Sequence, residues 1–392
     1  MKSYVVDRHL YAILAIICLI TTSFPTLSRS QDVPFDTKAP QAILIDANSG
    51  AVFFEKNADE LVPPASMSKL MTMTLVMEAL KAGKLTLDQE ILISEDAWRR
   101  GGSASGGSTM YAELNSHVKV VDLMHGAMIQ SANDACIAFA EALAGSEPAF
   151  AQRMTERGRE LGLKNATFRN STGLPDPEHL MSVRDLTILA RHIITDFPEY
   201  YKFYSEPEFT WNKITQQNRN PLLKEYPGAD GVKTGYTKES GYGLVGSAVR
   251  DGRRLLMVIA GLKSINERRE EAQKLLDWGF RQFKSMDVYA AGETVSKARV
   301  WGGTERWVNL VTKNDVRLAL SQQEQDKIEV KLNYIGPLMA PVRSGQEIGT
   351  IRFLIDGKAV AEVPVQTAAA VDAVDSMWSK SLDSITMMIF GG

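Results

Sequence analysis

Three short groups of residues have types and spacings that acyl-transfer chemistry would use. Ser66-Met67-Ser68-Lys69 sets a hydroxyl three residues before an amine, on one face of a helical turn. A serine hydroxyl is a poor nucleophile until a base takes its proton, and a neutral lysine can be that base. Ser131-Ala132-Asn133 offers a second hydroxyl and an amide, and Lys233-Thr234-Gly235 a cation beside a residue with no side chain. Taken singly they are weak. A chain of this length should hold roughly one or two Ser-x-x-Lys by chance, and Ser116-His117-Val118-Lys119 is a second copy. Ser264-Ile265-Asn266 likewise repeats Ser-x-Asn. Lys-Thr-Gly is rarer, expected in about one such chain in ten.

The elements around these groups give them meaning. Pro63-Pro64-Ala65 precedes Ser66 and marks a helix start, Leu70, Met73, Met77 and Leu80 recur at helical spacing, and Gly83 supplies a stop. The second Ser-x-x-Lys has no proline-marked start and reads as surface. Helices are expected over about 120–129 and 134–143, so Ser131 and Asn133 fall in the loop between them, where Asn133 or Asp134 can cap the second helix. Another helix is expected over 182–194. Residues 101–108, rich in glycine and serine, read as a flexible loop rather than a packed element. Strands are expected at 232–237, 242–250 and 254–262, with an Asp251-Gly252 hairpin turn between the last two, and Lys233-Thr234-Gly235 lies on the first. An earlier hairpin at 42–54 and a helix from about 267 to 283 complete the pattern of one sheet sandwiched by helices.

From about residue 286 the texture changes to short strands near 295–300, 307–311, 315–320, 328–334, 350–355 and 359–365, a small all-β module with no cluster of chemical groups. In the tail, Val371, Val374, Trp378, Leu382, Ile385 and Ile389 recur at spacings of three and four, with Asp372, Asp375, Ser379 and Asp383 off that stripe. Such a helix fits a membrane interface, although it carries Lys380 as its one basic residue; the alternative is docking on protein. At the other end, Lys2, Arg8 and His9 precede the apolar run 10–20, and small or polar residues follow to Ser30, the layout of a secretory signal. Its removal would take Cys18 and leave Cys136 alone in an apolar helical face, so no internal disulfide is expected.

The 392 residues suffice for two domains, and the slight negative net charge of −3, with no basic block, argues against nucleic-acid binding. No Cys/His spacing fits zinc, no phosphate loop or dinucleotide fingerprint is present, and His125, His179 and His192 form no recognisable site.

The ordered set of Ser66-x-x-Lys69, Ser131-x-Asn133 and Lys233-Thr234-Gly235, each in a fitting local structure, resembles the serine penicillin-binding protein and β-lactamase superfamily. The likeness is strongest to the low-molecular-weight D-alanyl-D-alanine carboxypeptidases, and Trp278-Gly279-Phe280 is typical of the end of their catalytic domain. It covers nearly the whole mature chain. The resemblance implies an α+β fold: a β-lactamase/transpeptidase-like catalytic domain with an antiparallel sheet sandwiched by helices, then a small all-β domain and an amphipathic C-terminal helix. The expected divisions are a signal peptide at 1–30, a catalytic domain at 31–285, a β-domain at 286–369 and a membrane-association helix at 370–392.

The resemblance also implies roles. Ser66 would be the nucleophile and Lys69 its base, neutral through burial and the nearby cation Lys233. Ser131 would relay the proton to the leaving D-alanine nitrogen, and Asn133 would bind the substrate peptide and help hold Lys69. Lys233 and Thr234 would take the terminal carboxylate, Gly235 would let the strand approach the substrate, and the amides of Ser66 and Tyr236 would form the oxyanion hole. Arg268 is either a second positive group near that carboxylate or a solvated helix charge; Arg219 is a weaker candidate of the same kind. Tyr236 stands where some relatives carry His, which bears on substrate fit. Phe168-Arg169-Asn170-Ser171-Thr172-Gly173 lacks the deacylating Glu that class A β-lactamases carry in this region, so a long-lived penicilloyl adduct is expected rather than rapid hydrolysis.

The expected activity is removal of the terminal D-alanine from peptidoglycan stem peptides, without cofactor or metal and with β-lactams as covalent inhibitors. The expected location is periplasmic, on the outer face of the inner membrane and held there by the tail. The rivals are a D,D-endopeptidase, a weak β-lactamase, and a non-enzymatic peptidoglycan-binding scaffold.

Overall fold

Five apolar segments, two from near the N-terminus and three from beyond residue 228, close into one antiparallel sheet. In the computed structural model, which describes residues 3–5 and 35–374, they are β1 (Gln41–Asp46), β2 (Val52–Lys56), β3 (Ala229–Thr237), β4 (Gly241–Arg250) and β5 (Arg253–Leu262). Their order is β2-β1-β5-β4-β3, so β3, the strand of Lys233-Thr234-Gly235, stands at an edge. The β4–β5 turn has positive φ at both Asp251 and Gly252, the geometry a two-residue hairpin favours.

Alternate residues of these strands serve opposite faces. Ile43, Ile45, Leu256 and Val258 join one hydrophobic core, while Leu44 and Leu255 meet Gly279 on the other side. The longer helices are α1 (Lys69–Lys81), α2 (Asn133–Ala144), α3 (Glu147–Glu160), α4 (Val183–Asp196) and α5 (Ile265–Gln282). Helix α1 belongs to the centre: Leu70, Met71, Met73, Val76 and Met77 are buried, each large side chain contributing about 1.5–3 kcal/mol by leaving water. A short 3-10 turn, Ala65–Ser68, leads into it. Helix α4 starts at a capping box in which Ser182 and Asp185 satisfy each other's backbone amides.

Several expectations change. Helix 120–129 is an α-helix only over Val120–His125 and widens to a π-turn over Gly126–Gln130. Neither Asn133 nor Asp134 caps α2; the cap position is Ala132, because both side chains are drawn elsewhere. The Asp134 carboxylate accepts the Thr109 hydroxyl and the Met110 and Ala112 amides, fixing residues 109–112. Residues 101–108 are not simply a flexible loop. Gly101 closes a π-turn, Ala97–Gly101, is buried, and lies directly against the Asn133–Asp134 backbone. Helix α3 has no counterpart in the sequence expectations.

This unit, Thr37–Arg281, is followed by a second with its own core, built around Val300, Leu310, Leu332, Phe353 and Val365. Its main sheet runs, in order, Ser3–Val5, Ile328–Tyr334, Glu347–Ile355, Lys358–Thr367, Trp307–Thr312, Thr294–Trp301, Leu338–Met339. Phe283–Tyr289, where the last helix was expected to reach residue 283, is a strand pairing with Val316–Ser321. The expected tail helix fails at its first turn. Val371 is buried and bridges Val342, and Ala373 bridges Gly303, so residues 371 and 373 belong to the β-module. The remainder of that helix from residue 375, the apolar run 10–20 and Cys18 lie outside the described residues. Among the described residues no helix is long and apolar enough to cross a membrane.

Candidate active site

The three groups converge from the start of α1, the start of α2 and the edge strand β3. The Ala65–Ser68 turn carries Ser66 and delivers Lys69 as the first residue of α1, fully buried. The Lys69 Nζ donates to Ser66 Oγ at 3.0 Å, to Asn133 Oδ1 at 2.8 Å and to the Thr172 carbonyl at 2.5 Å. Two of these partners follow from the sequence motifs. The Thr172 carbonyl does not, since a backbone acceptor has no residue type to mark it.

That carbonyl is held by its own network. Asn170 Oδ1 accepts the Thr172 hydroxyl and the amides of Thr172 and Gly173. The buried Glu147 carboxylate accepts the Ser171 amide at 2.9 Å and hydroxyl at 2.6 Å, and pairs with Arg100 at 2.6 Å. The segment expected to lack a glutamate thus has one behind it, bound to the loop's backbone.

Ser131 follows the π-turn with φ of 63°, and its Oγ is buried without a hydrogen-bond partner. Lys233 and Thr234 are buried on β3. Gly235 lets β3 approach closely: an added Cβ would lie 2.9 Å from the Pro64 carbonyl and 3.0 Å from Met67. Tyr236 is half exposed and stacks on Tyr242, ring centres 4.2 Å apart. Arg268 is 6 % exposed, which removes the solvated-charge reading; its guanidinium lies over Tyr242 at 5.6 Å, and its Nε has no partner. Arg219 donates to Ser108 Oγ at 2.5 Å. The rival copies lie elsewhere: Lys119 pairs with Asp88 at the surface, and Ser264 and Asn266 are exposed.

The electrostatics follow from burying several cations together. Burial draws Lys69 down to about 8, the field of Arg219 adds to the fall, and Cys136, Asp134 and Glu147 oppose it. Lys233 is also drawn well below its ordinary value, by burial first and then by Lys69, Arg219 and Arg268. Repulsion from Lys69 contributes to the fall at Lys233, whereas burial and the field of Arg219 carry the fall at Lys69. A carboxylate beside Lys233 would favour its protonated form. Burial brings Arg268 to about 10 and lowers Arg219, although the latter still reaches solvent. Cys136 is fully buried and its thiol is pushed up to about 11, which makes it a packing residue. Among the described residues no three His, Cys, Asp or Glu side chains gather as metal ligands would.

Known proteins resemble this chain in sequence and fold. Residues 27–264 match the D-alanyl-D-alanine carboxypeptidase family (Peptidase_S11), and residues 283–373 match the penicillin-binding protein 5 C-terminal domain. D-alanyl-D-alanine carboxypeptidase DacC of Escherichia coli is 40 % identical over 326 residues, covering 82 % of this chain and 82 % of the relative. The crystal structure of penicillin binding protein 5 from Haemophilus influenzae, 38 % identical, superposes with a TM-score of 0.78 over 87 % of this chain and 99 % of its own. Penicillin-binding protein D2 from Listeria monocytogenes in its ampicillin-bound form, 28 % identical, superposes with a TM-score of 0.55 over 63 % of this chain and 98 % of its own. With its two regions matched in order and most of its length covered, the chain belongs to the penicillin-binding D-alanyl-D-alanine carboxypeptidases, a family of serine hydrolases.

Proposed function

We propose that this carboxypeptidase works through Ser66 as nucleophile and Lys69 as its general base. The observation that carries the reading is the 3.0 Å bond between Lys69 Nζ and Ser66 Oγ, on a lysine whose burial lowers its proton affinity to about 8. An appreciable fraction of Lys69 is then neutral near neutral pH and able to take the Ser66 proton as Oγ attacks.

A stem peptide would lie along the edge of β3 with its terminal carboxylate at Lys233 and Thr234, and Arg268 behind them. The crowding of the buried cations Lys233 and Arg268, with Arg219 beside them, fits an anion, since a carboxylate relieves their repulsion. The scissile carbonyl oxygen would sit between the amides of Ser66 and Tyr236, where each donor is worth about 3 kcal/mol in the transition state. Ser66 Oγ bonds to the carbonyl carbon, and the tetrahedral intermediate collapses by breaking the bond to the D-alanine nitrogen. Ser131, whose hydroxyl has no other partner, gives its proton to that nitrogen and takes in its place the proton Lys69 had accepted from Ser66, which leaves Lys69 neutral. Water then cleaves the acyl-enzyme, with Lys69 again as base. Asn133 holds Lys69 and faces the peptide.

Benzylpenicillin, which carries a carboxylate and a reactive amide, would enter the same path and stop at the acyl-enzyme. Incubation followed by mass spectrometry of peptides should place one adduct on Ser66 and none after Ser66→Ala. An adduct that persists in Ser66→Ala would overturn the assignment.

The leader at 1–30 and the striped segment 375–392 support export to the periplasm and attachment to the outer face of the inner membrane. Alkaline washing should release a variant lacking 375–392 from membranes and retain the intact chain. Equal release of the two would refute the attachment.

A further inference from the structure

We propose that the Thr37–Arg281 unit carries a second binding site, for an elongated apolar molecule ending in a carboxylate. The site is a cavity of about 450 Å³ between the β1–β2 hairpin and helix α4. Proteins commonly take small-molecule ligands in cavities of about this size. None of Ser66, Lys69, Ser131, Asn133 or Lys233 lines it, so the proposal stands independently of the carboxypeptidase reading.

The walls set the apolar part of the ligand. Ile43 and Ile45 of β1, Val52 of β2, Ile188 of α4 and Leu161, the residue after α3, line the cavity. Val52 is 45 % exposed, and Leu161 and Ile188 are half-buried. A hydrocarbon body entering here would remove that open apolar surface from water.

Arg191 sets the charged part. Its Nε donates to the Ala47 carbonyl at 2.7 Å and its Nη2 to the Asn48 carbonyl at 2.8 Å. Gly50 lies against the same guanidinium and places no side chain over it. The two carbonyls take one edge of the fork and hold it still, while the Nη1–Nη2 edge has no acceptor among the described residues. Two N–H groups in that fixed geometry match the two oxygens of a carboxylate. The partners of Arg191 are both neutral, so its charge is unmatched, whereas the other charged groups of the lining are engaged. Arg184 pairs with Asp59 at 2.7 Å and Glu55 at 2.6 Å, and Asp196 meets His192 Nδ1 at 2.5 Å. A small inorganic anion would leave the apolar walls uncovered, and an uncharged hydrocarbon would leave Arg191 unpaired. A molecule of the fatty-acid kind satisfies both.

Isothermal titration calorimetry of the full chain with decanoate and with 1-decanol tests this. Decanoate should bind about tenfold more tightly, the margin expected of a charge-assisted pair that solvent can reach. In Arg191→Met, which keeps most of the stem and removes the fork, that ratio should fall to about one. Arg191 also holds the turn at residues 47–48, so a second variant leaves it in place. Val52→Trp fills the cavity from an exposed position and should weaken both ligands by about tenfold or more. No binding of decanoate, equal affinity for the two ligands in the wild type, a ratio that survives Arg191→Met, or undiminished binding in Val52→Trp would each overturn the inference. None of these results bears on the assignment of Ser66.

Discussion

Replacing Lys69 by methionine is expected to slow acylation of Ser66 by about ten-thousandfold or more, the scale seen when a nucleophile loses its partner base. Methionine nearly matches the lysine stem, so α1 keeps its packing, but Ser66 Oγ loses the group that accepts its proton. The same variant has a signature in stability. In the unfolded chain Lys69 holds its proton up to about 10.5, and in the folded protein only to about 8. Between these values the unfolded state binds more protons, so folding stability rises with pH across the window, and the burden of the buried amine is fully present below it. The difference corresponds to about 3 kcal/mol. Denaturant unfolding of wild type and Lys69→Met at pH 7 and pH 10.5 should therefore show the wild type gaining about that much relative to the variant. Lost hydrogen bonds to Asn133 and Thr172 affect the variant at both pH values and cancel in the comparison. Parallel pH dependence in the two proteins would mean that Lys69 is not held deprotonated by the fold.

The second large effect is steric. Gly173 has φ of 77°, and a Cβ there would lie 2.0 Å from the Ala65 carbonyl oxygen and 2.7 Å from Ser68 Oγ. Those atoms belong to the turn that presents Ser66, and the Ala65 carbonyl is the acceptor of the Ser68 hydroxyl. Gly173→Ala combines a left-handed backbone with a contact neither side can yield, and is expected to cost about 4 kcal/mol. Shifting Ser66 by even about 1 Å would slow acylation by about a hundredfold. Gly162 is the control, with φ of 87° and nothing within 4 Å of its added Cβ. Gly162→Ala should cost about 1 kcal/mol and leave acylation unaffected. Unfolding curves and penicillin acylation rates on the two variants check this, and equal losses in both would remove the steric argument.

Much of the site was legible because its chemistry sits in side chains with fixed spacing. Ser66 and Lys69 are one turn apart and Lys233 lies on a strand, as expected, while Ser131 and Asn133 stay together although Asn133 opens α2 rather than lying in the loop. What the residues could not reveal were contacts made by backbone or by burial. The third partner of Lys69 is a carbonyl, and the segment carrying it is anchored by Glu147, 24 residues upstream of Ser171. Arg268 sits in Glu267-Arg268-Arg269-Glu270-Glu271, a pattern that reads as solvated, yet one side of α5 turns it inward over Tyr242. Helix α3 carried usable signals that went unread: Ser146 accepts the Ala149 amide as N-cap, Pro148 follows, and Phe150, Ala151, Met154 and Thr155 face inward at helical spacing. The tail misled for the opposite reason. Val371 fits the three-and-four spacing of an amphipathic helix, but its bridge to Val342 completes the β-module core, and periodicity alone cannot separate the two.

The pairing of Ser66 with a lysine that is neutral when it acts is tested most directly by the pH dependence of the second-order rate at which benzylpenicillin acylates Ser66. The rate should climb as pH rises through about 8 and level off above it, following the loss of the Lys69 proton. A rate that is flat across this range, or whose midpoint stays near the ordinary lysine value of about 10.5, would contradict it.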